Sequence, residues 1–253
     1  MEVAKAGGIE LEAGSNAASV ADALARTLQG AIVSGELPVG SSLPSERELM
    51  VKYSVSRTSV REALRILGAQ GLLQVKRGRS GGSFITSPTP NFFARSLDLF
   101  IKGQDMRFVD LVFAREAIEP FAAAQAALFR TERELDELRS LCVRCEETLY
   151  EVARFVDVNL DWHLAVAQAS HNPLFVAFIT SISSALHTAT ELEEFDLKTR
   201  KSVVGVHWQI FNAIQQGDAD AAKRRMARHV SAYGERLSSI NLPQTFGNGA
   251  SPD

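Results

Sequence analysis

Two kinds of side chain in this sequence are spaced in ways that could do chemistry. The first is imidazole. Five histidines stand at positions 163, 171, 187, 207 and 229. A lone histidine in a helical protein usually belongs to the core or the surface, but three of these are set so that they can meet. Gly217-Asp218 reads as a helix stop followed by an N-cap, so the flanking helices form an antiparallel hairpin. His207 lies ten residues before Gly217 and His229 twelve after it. At about 1.5 Å of rise per residue both stand about 15–18 Å from the turn, level with one another. Asn159 and His163 are four apart and share a face of another helix. Three imidazoles and one side-chain oxygen on three helices could enclose a divalent metal, and imidazole donors favour zinc. The plain alternative is a metal-free polar pocket.

The second kind is guanidinium. On a helical wheel from Arg57 to Leu67, Val60, Ala63, Leu64 and Leu67 fall on one side, and Arg57, Thr58, Arg61, Glu62 and Arg65 on the other. One stripe packs inward while the other presents arginines at i, i+4 and i+8. Arginine can bond guanine O6 and N7 bidentately in the major groove of a duplex. The hydroxyls of Ser56, Thr58 and Ser59, with amides at a helix start, suit phosphate oxygens. Taken alone, such a stripe is as readily a solvated face.

The elements around it favour the duplex. Ser45-Glu46-Arg47-Glu48 is a capping box that starts a short helix running to about Tyr53. Ser54-Val55-Ser56 makes a tight turn, and Ser56 caps the next helix, Arg57 to about Gln70. Two short helices across so brief a turn fit a helix-turn-helix. Leu73–Lys76 and Ser83–Thr86 then read as strands flanking a glycine-rich basic tip, in other words a wing. There Arg77 and Arg79 could reach the adjacent minor groove or its phosphates.

Charge follows the same division. Between Ser41 and Ser87 the net charge is +5, although the whole chain of 253 residues carries −3, so the remainder is −8. A basic module on an acidic body points to nucleic acid for the module alone. Residues 1–16 show no usable period and are expected to be mobile. Residues 17–87 form the head, with an amphipathic helix over Ser19–Ser34. Residues 88–90 are a linker, since Pro88 and Pro90 stop either flank from continuing. Residues 91–240 read as helix throughout, with connections at Gly103, Phe129–Thr131, Ser170–Pro173, Thr199–Ser202 and Gly217, and 241–253 as a disordered tail. The fold class is mainly α: a winged helix-turn-helix plus an all-helical antiparallel bundle. The opening residues lack a signal-peptide pattern and no apolar run is long enough to span a bilayer, so a cytoplasmic location without a membrane partner is expected. Cys142 and Cys145 form one Cys-x-x-Cys with no second pair, which reads as two thiols on a helix.

Leu43-Pro44-Ser45-Glu46-Arg47-Glu48-Leu49, Val55-Ser56-Arg57-Thr58-Ser59-Val60-Arg61-Glu62-Ala63-Leu64 and Gly71-Leu72-Leu73 resemble the winged helix-turn-helix of the GntR family. The resemblance covers about Val20 to Thr86. It implies that Arg57 and Arg61 read bases, that Arg47 holds the backbone, and that Gly78 lets the wing approach the groove. It also implies a homodimer on a short inverted repeat of double-stranded DNA.

From about Asn91 to Leu237 the chain resembles the FCD ligand-binding domain of the FadR subfamily, through Asn159-Leu160-Asp161-Trp162-His163 and Ala169-Ser170-His171-Asn172-Pro173. That resemblance implies a metal on Asn159, His163, His207 and His229, with Asn159 where the family usually has aspartate. Asp161, two residues from His163, faces away and does not replace it. It implies a small carboxylate effector too, for which the fork of Arg115 is the candidate grip. The rival for Arg115 is an intrahelical pair with Glu119. Neither His187, read as packing beside a pocket wall, nor His171, read as an exposed turn residue, joins the set. The expectation is a transcription regulator and not an enzyme, a repressor in preference to an activator, whose operator affinity a metabolite controls. The alternatives are a metal-dependent hydrolase using the three histidines, for which no general base is evident, and an effector-free structural DNA-binding protein.

Overall fold

The computed structural model describes residues 3–6, 9–12, 17–76, 78, 81–104, 106–192 and 196–239. The chain divides into two compact units, Met1–Phe92 and Phe93–Asp253. The wing residues Arg77 and Arg79 and the tail from 241 lie outside the described residues.

The first unit opens with β1 (Val3–Ala6) and β2 (Ile9–Glu12), paired antiparallel with Val3 opposite Glu12. This corrects the expectation of no regular structure over residues 1–16. Segments of four residues are too short for a period to be read, and the surviving signal is the Gly7-Gly8 between them, a pair favoured in two-residue hairpin loops. Then come α1 (Ala17–Val33), α2 (Glu46–Tyr53), α3 (Arg57–Ala69), β3 (Leu73–Lys76) and β4 (Gly82–Ile85).

The capping box at Ser45 is formed: its hydroxyl accepts from the Glu48 amide at 3.3 Å, and the Glu48 carboxylate accepts from the Ser45 amide at 2.8 Å. Ser54 ends α2 in the left-handed region at φ 53°. The Ser56 hydroxyl accepts the Ser59 amide at 3.1 Å and starts α3. Leu24 and Leu28 of α1, Leu49 of α2 and Val60, Ala63 and Leu67 of α3 close one apolar core with Ile85 of β4. In the wing Leu73 stands opposite Ile85 and Lys76 opposite Gly82. Gly78, at φ 117°, adopts a backbone that a side chain would strain.

The second unit contains α4 (Pro90–Gly103, its first residues in the first unit), α5 (Phe108–Phe129), α6 (Glu132–Glu147), α7 (Val152–Ala169), α8 (Pro173–Leu192), α9 (Leu197–Gln216) and α10 (Ala219–Ser239). Two connections differ from those expected. Between α6 and α7 the chain turns at Thr148, whose hydroxyl donates to the Arg144 carbonyl at 2.8 Å, and a threonine gives little warning of this in sequence. Residues 199–202 are helical instead of a connection, because the Asp196 carboxylate accepts the Thr199 amide at 2.7 Å and starts α9 earlier.

One core joins α5, α6, α7, α9 and α10, with Trp162, Phe155 and Phe211 its largest fully buried side chains. A smaller one joins α4 and α8 to α5 and α7 through Ile101, Leu111, Ala167, Ile179 and Ile182. Cys142 and Cys145 are both fully buried in α6, and burial pushes each thiol up to about 12, so they pack and do not react. No described helix is long and apolar enough to cross a membrane.

The turn between α9 and α10 sets the level of the two histidines that flank it. Gly217 closes α9 in the left-handed region at φ 73°, and Asp218 accepts the Ala221 amide at 2.9 Å to start α10. Gly217→Ala is expected to destabilise the second unit by about 1–2 kcal/mol, the cost of a left-handed alanine. Urea unfolding of the two proteins measures it, and an unchanged midpoint would contradict the role given to the turn.

Candidate functional site

On the first unit α3 presents Arg57, Thr58, Arg61 and Glu62 around a shallow hollow that also includes Ala18 and Arg65. The side chains of Arg57 and Arg61 are 73% and 70% exposed. The apolar stripe opposite is the packed one. Glu46, at the start of α2, lies 3.2 Å from Arg57 Nε and 3.9 Å from Arg61 Nε, while Arg65 is bound to Glu62 at 2.7 Å. These exposed pairs contribute little to stability. They hold guanidiniums extended from the surface, ready to exchange a carboxylate for another acceptor. Arg47, Ser56 and Thr58 are also exposed.

Ser59 is a correction to the expected set. It is 2% exposed, with its oxygen 3.0 Å from the Ser56 hydroxyl, so it belongs to the helix start and not to the outer face.

In the second unit the three histidines are brought together. One donor nitrogen from each of His163, His207 and His229 lies within 4.8 Å of the others. His163 and His207 are buried, at 4% and 0% exposure. Their helices are tied to neighbours. Trp208 of α9 donates to Glu146 of α6 at 2.8 Å, and Ser231 of α10 donates to Glu116 of α5 at 2.6 Å.

Each buried imidazole is oriented differently. His163 Nδ1 lies 2.6 Å from the Glu119 carboxylate. Burial lowers the His163 pKa and outweighs the pull of Glu119, so the neutral ring donates from Nδ1 and keeps its lone pair on Nε2. That Nε2 stands 3.3 Å from His229 Nε2 and 3.3 Å from an Arg115 nitrogen.

His207 lacks any such bond: both its ring nitrogens are buried without a hydrogen-bond partner among the described residues. Instead its ring lies flat on the indole of Trp162, with centroids 3.8 Å apart and planes 6° from parallel. Burial, then the neighbouring His229, His163 and Arg115, hold its pKa well below the ordinary value. A neutral imidazole with unengaged nitrogens is a ready ligand.

Asn159, one turn before His163, likewise has a buried Oδ1 with no partner among the described residues. Orphaned buried acceptors cost free energy unless something satisfies them. The three clustered imidazoles therefore suit a divalent ion, and Asn159 stands one turn before His163 on the same helix.

Arg115, the expected effector grip, lies beside the histidine cluster and also makes the pair with Glu119 that was its rival reading. Its guanidinium is 4% exposed and ion-paired with Glu119, and it lies 5.3 Å from the Tyr233 ring centroid. Burial would raise the Glu119 carboxyl, but Arg115 and His163 outweigh that and hold it below its ordinary range. The chain is thus Arg115, Glu119, His163: a cation fixing an anion that fixes an imidazole. Neither Glu119 as the histidine's acceptor nor Trp162 as its neighbour's platform was assigned from sequence. The i, i+4 spacing of Arg115 and Glu119 was the only signal for the first, and the second left none. His171 and His187 stand apart, each 3.0 Å from a carboxylate, Glu134 and Asp157 respectively.

Comparison with known proteins agrees with this two-part architecture. Residues 20–82 match the bacterial regulatory proteins of the gntR family, and residues 110–232 match the FCD domain. The chain is 31% identical over 219 residues to the HTH-type transcriptional regulator LutR of Bacillus subtilis (strain 168), covering 82% of this chain and 96% of that one. It is 27% identical over 242 residues to the Glc operon transcriptional activator of Escherichia coli (strain K12), covering 88% and 91%. A solved structure of Streptococcus agalactiae GntR shares the fold with a TM-score of 0.59 at 23% identity, covering 85% of this chain and 99% of that chain. The hydrolase alternative falls away, since the family regulates transcription. This chain belongs to the GntR family of bacterial regulatory proteins and is a DNA-binding transcription regulator with an FCD domain.

Proposed function

We propose that this protein is an effector-responsive repressor, binding as a homodimer to a short inverted repeat and controlled by a small carboxylate taken up at a metal centre in the FCD unit. The observation that carries this reading is His207, a fully buried imidazole with no hydrogen-bond partner among the described residues, set beside two more histidines. Such a group is costly to keep unless a ligand satisfies it.

Zinc is the favoured occupant on donor chemistry. When bound, it would supply a positive charge that can take a carboxylate oxygen. The residues supply the rest. Glu119 holds His163 in the tautomer that presents a lone pair at Nε2, Arg115 keeps Glu119 ionised, and Trp162 fixes the plane of His207. Asn159 offers an oxygen without charge, so affinity for the ion is lower than a carboxylate there would give.

On the first unit, Arg57 and Arg61 read base edges while Arg47, Ser56, Thr58 and Gly78, with Arg77 and Arg79 of the wing, meet phosphates or the minor groove. Support for a homodimer comes from α5, whose outer face exposes Phe113, Phe121 and Leu128 at 60%, 50% and 58%. Large apolar side chains exposed along one helix commonly mark an interface. Regulation then requires the effector to bind two conformations unequally, and a tenfold change in operator affinity needs about 1.4 kcal/mol of that difference. The setting is the cytoplasm, where the DNA is.

Arg57→Ala and Arg61→Ala are each expected to weaken specific operator binding by about 1–3 kcal/mol without altering the fold, measured by gel shift and circular dichroism. Full binding by both variants would remove α3 from the groove.

Protein purified without chelator is expected to hold stoichiometric metal by elemental analysis. Chelation should lower the melting temperature of wild type and leave His207→Ala unmoved. Metal-free wild type, or equal chelator sensitivity in the variant, would end the metal reading. Glu119→Gln is expected to reduce metal affinity about 10–100-fold, the usual cost of losing a ligand's orienting partner. Competition with a fluorescent chelator reads this out, and an unchanged affinity would show that Glu119 does not orient His163.

A further inference from the structure

Arg115 is buried and ion-paired with Glu119, whereas other guanidiniums beside the histidine cluster stand nearer the surface. The described surface offers one candidate that touches the histidine cluster. A groove of about 260 Å³ runs between α9 and α10, lined on the α9 side by Ser202 and Gln209 and on the α10 side by Arg225, Arg228 and His229. Ser202 and Gln209 are seven apart, two turns, and so share a face of α9. Arg225 and His229 are four apart on α10, with Arg228 three from Arg225, so they too share a face.

No aspartate or glutamate among the described residues lines this groove, which leaves its two guanidiniums uncompensated within it. Arg225 is half-buried and donates to the Gln209 carbonyl, which fixes it against α9. Arg228 is exposed at the same wall. The volume lies just under the roughly 300–1,000 Å³ of pockets for drug-sized ligands, so the groove suits a small metabolite.

His229 gives the groove its meaning. The residue that lines the groove also stands 3.3 Å from His163 Nε2, and its ring centroid is 5.0 Å from that of His207. A molecule in the groove therefore meets guanidiniums and His229, the half-buried member of the imidazole cluster. With a metal held at the trio, the arginines and the metal would make two cationic stations, which suits a ligand with two anionic ends. A monocarboxylate can satisfy only one of them.

We propose that the groove between α9 and α10 is the effector port of the FCD unit and takes a small dicarboxylate. Arg225 and Arg228 grip one carboxylate, and the other reaches past His229 to the histidine cluster. The proposal rests on the metal-and-carboxylate reading above and moves the gripping role from Arg115 to Arg225 and Arg228. Arginine is suited to it, since its planar fork matches a carboxylate bidentately.

The test is calorimetric titration of zinc-loaded protein with malonate, succinate, glutarate and acetate. At least one dicarboxylate is expected to bind wild type at least tenfold more tightly than acetate. Arg228→Ala and Arg225→Ala are each expected to lose about tenfold for that dicarboxylate while keeping the acetate affinity and the zinc content of wild type. Arg228 is exposed, so its variant folds; the melting temperature checks the same for Arg225→Ala. Wild-type dicarboxylate affinity in both variants, or no preference over acetate in wild type, would overturn the proposal. Zinc-loaded wild type that binds none of the four acids would overturn the carboxylate reading itself, and that failure appears before any variant is made.

Discussion

An imidazole sealed inside a helical bundle must find something to bond, and His207 finds nothing among the described residues of its own chain. It is fully buried, both ring nitrogens are unengaged, and the rings of His163 and His229 lie 5.5 and 5.0 Å away by centroid. Burying His207 in this way is unfavourable in the absence of a ligand, because the ring loses its water and gains no acceptor or donor among the described residues. Much of the surrounding architecture serves that cluster. α7 carries His163, α9 carries His207, α10 carries His229, and a left-handed glycine at position 217 brings the last two level.

The same side chain, arginine, does opposite work in the two units because its surroundings differ. Arg57 and Arg61 stand in water beside Glu46, at low cost and with little gain, so they can exchange that partner for a nucleic acid. Arg115 is locked with Glu119 away from water. Removing either member of such a pair leaves a buried charge without compensation. Its use is to hold Glu119 ionised, and through it the tautomer of His163. Arg225 and Arg228 lie between these extremes, at a groove wall where a small anion can still reach them.

How much of this was legible follows from which interactions are local. The cap at Ser45, the turn before Ser56 and the stop at Gly217 are written in residues within four positions of one another, and each was read from the chain. The level of His207 with His229 followed from counting along two helices from one turn. Interactions across elements left weaker traces. Ser59 has the residue type and place of a phosphate contact, but its hydroxyl is turned onto Ser56. Nothing in the sequence announced that Trp162 would lie under a histidine 45 positions away, since stacking depends on how α7 and α9 cross. The start of α9 lies ahead of the connection expected at Thr199–Ser202, because Asp196 caps it. The ligand set follows from the resemblance to the FCD domain, while the groups that orient two of its members, Glu119 and Trp162, come together only in the folded chain.

The most direct measurement is X-ray absorption at the zinc edge on protein purified without chelator. The spectrum should show three imidazole scatterers with nitrogens at about 2.0–2.1 Å, completed by oxygen. An absent zinc signal, or a first shell without imidazole, would contradict the claim that the histidine cluster exists to hold an ion.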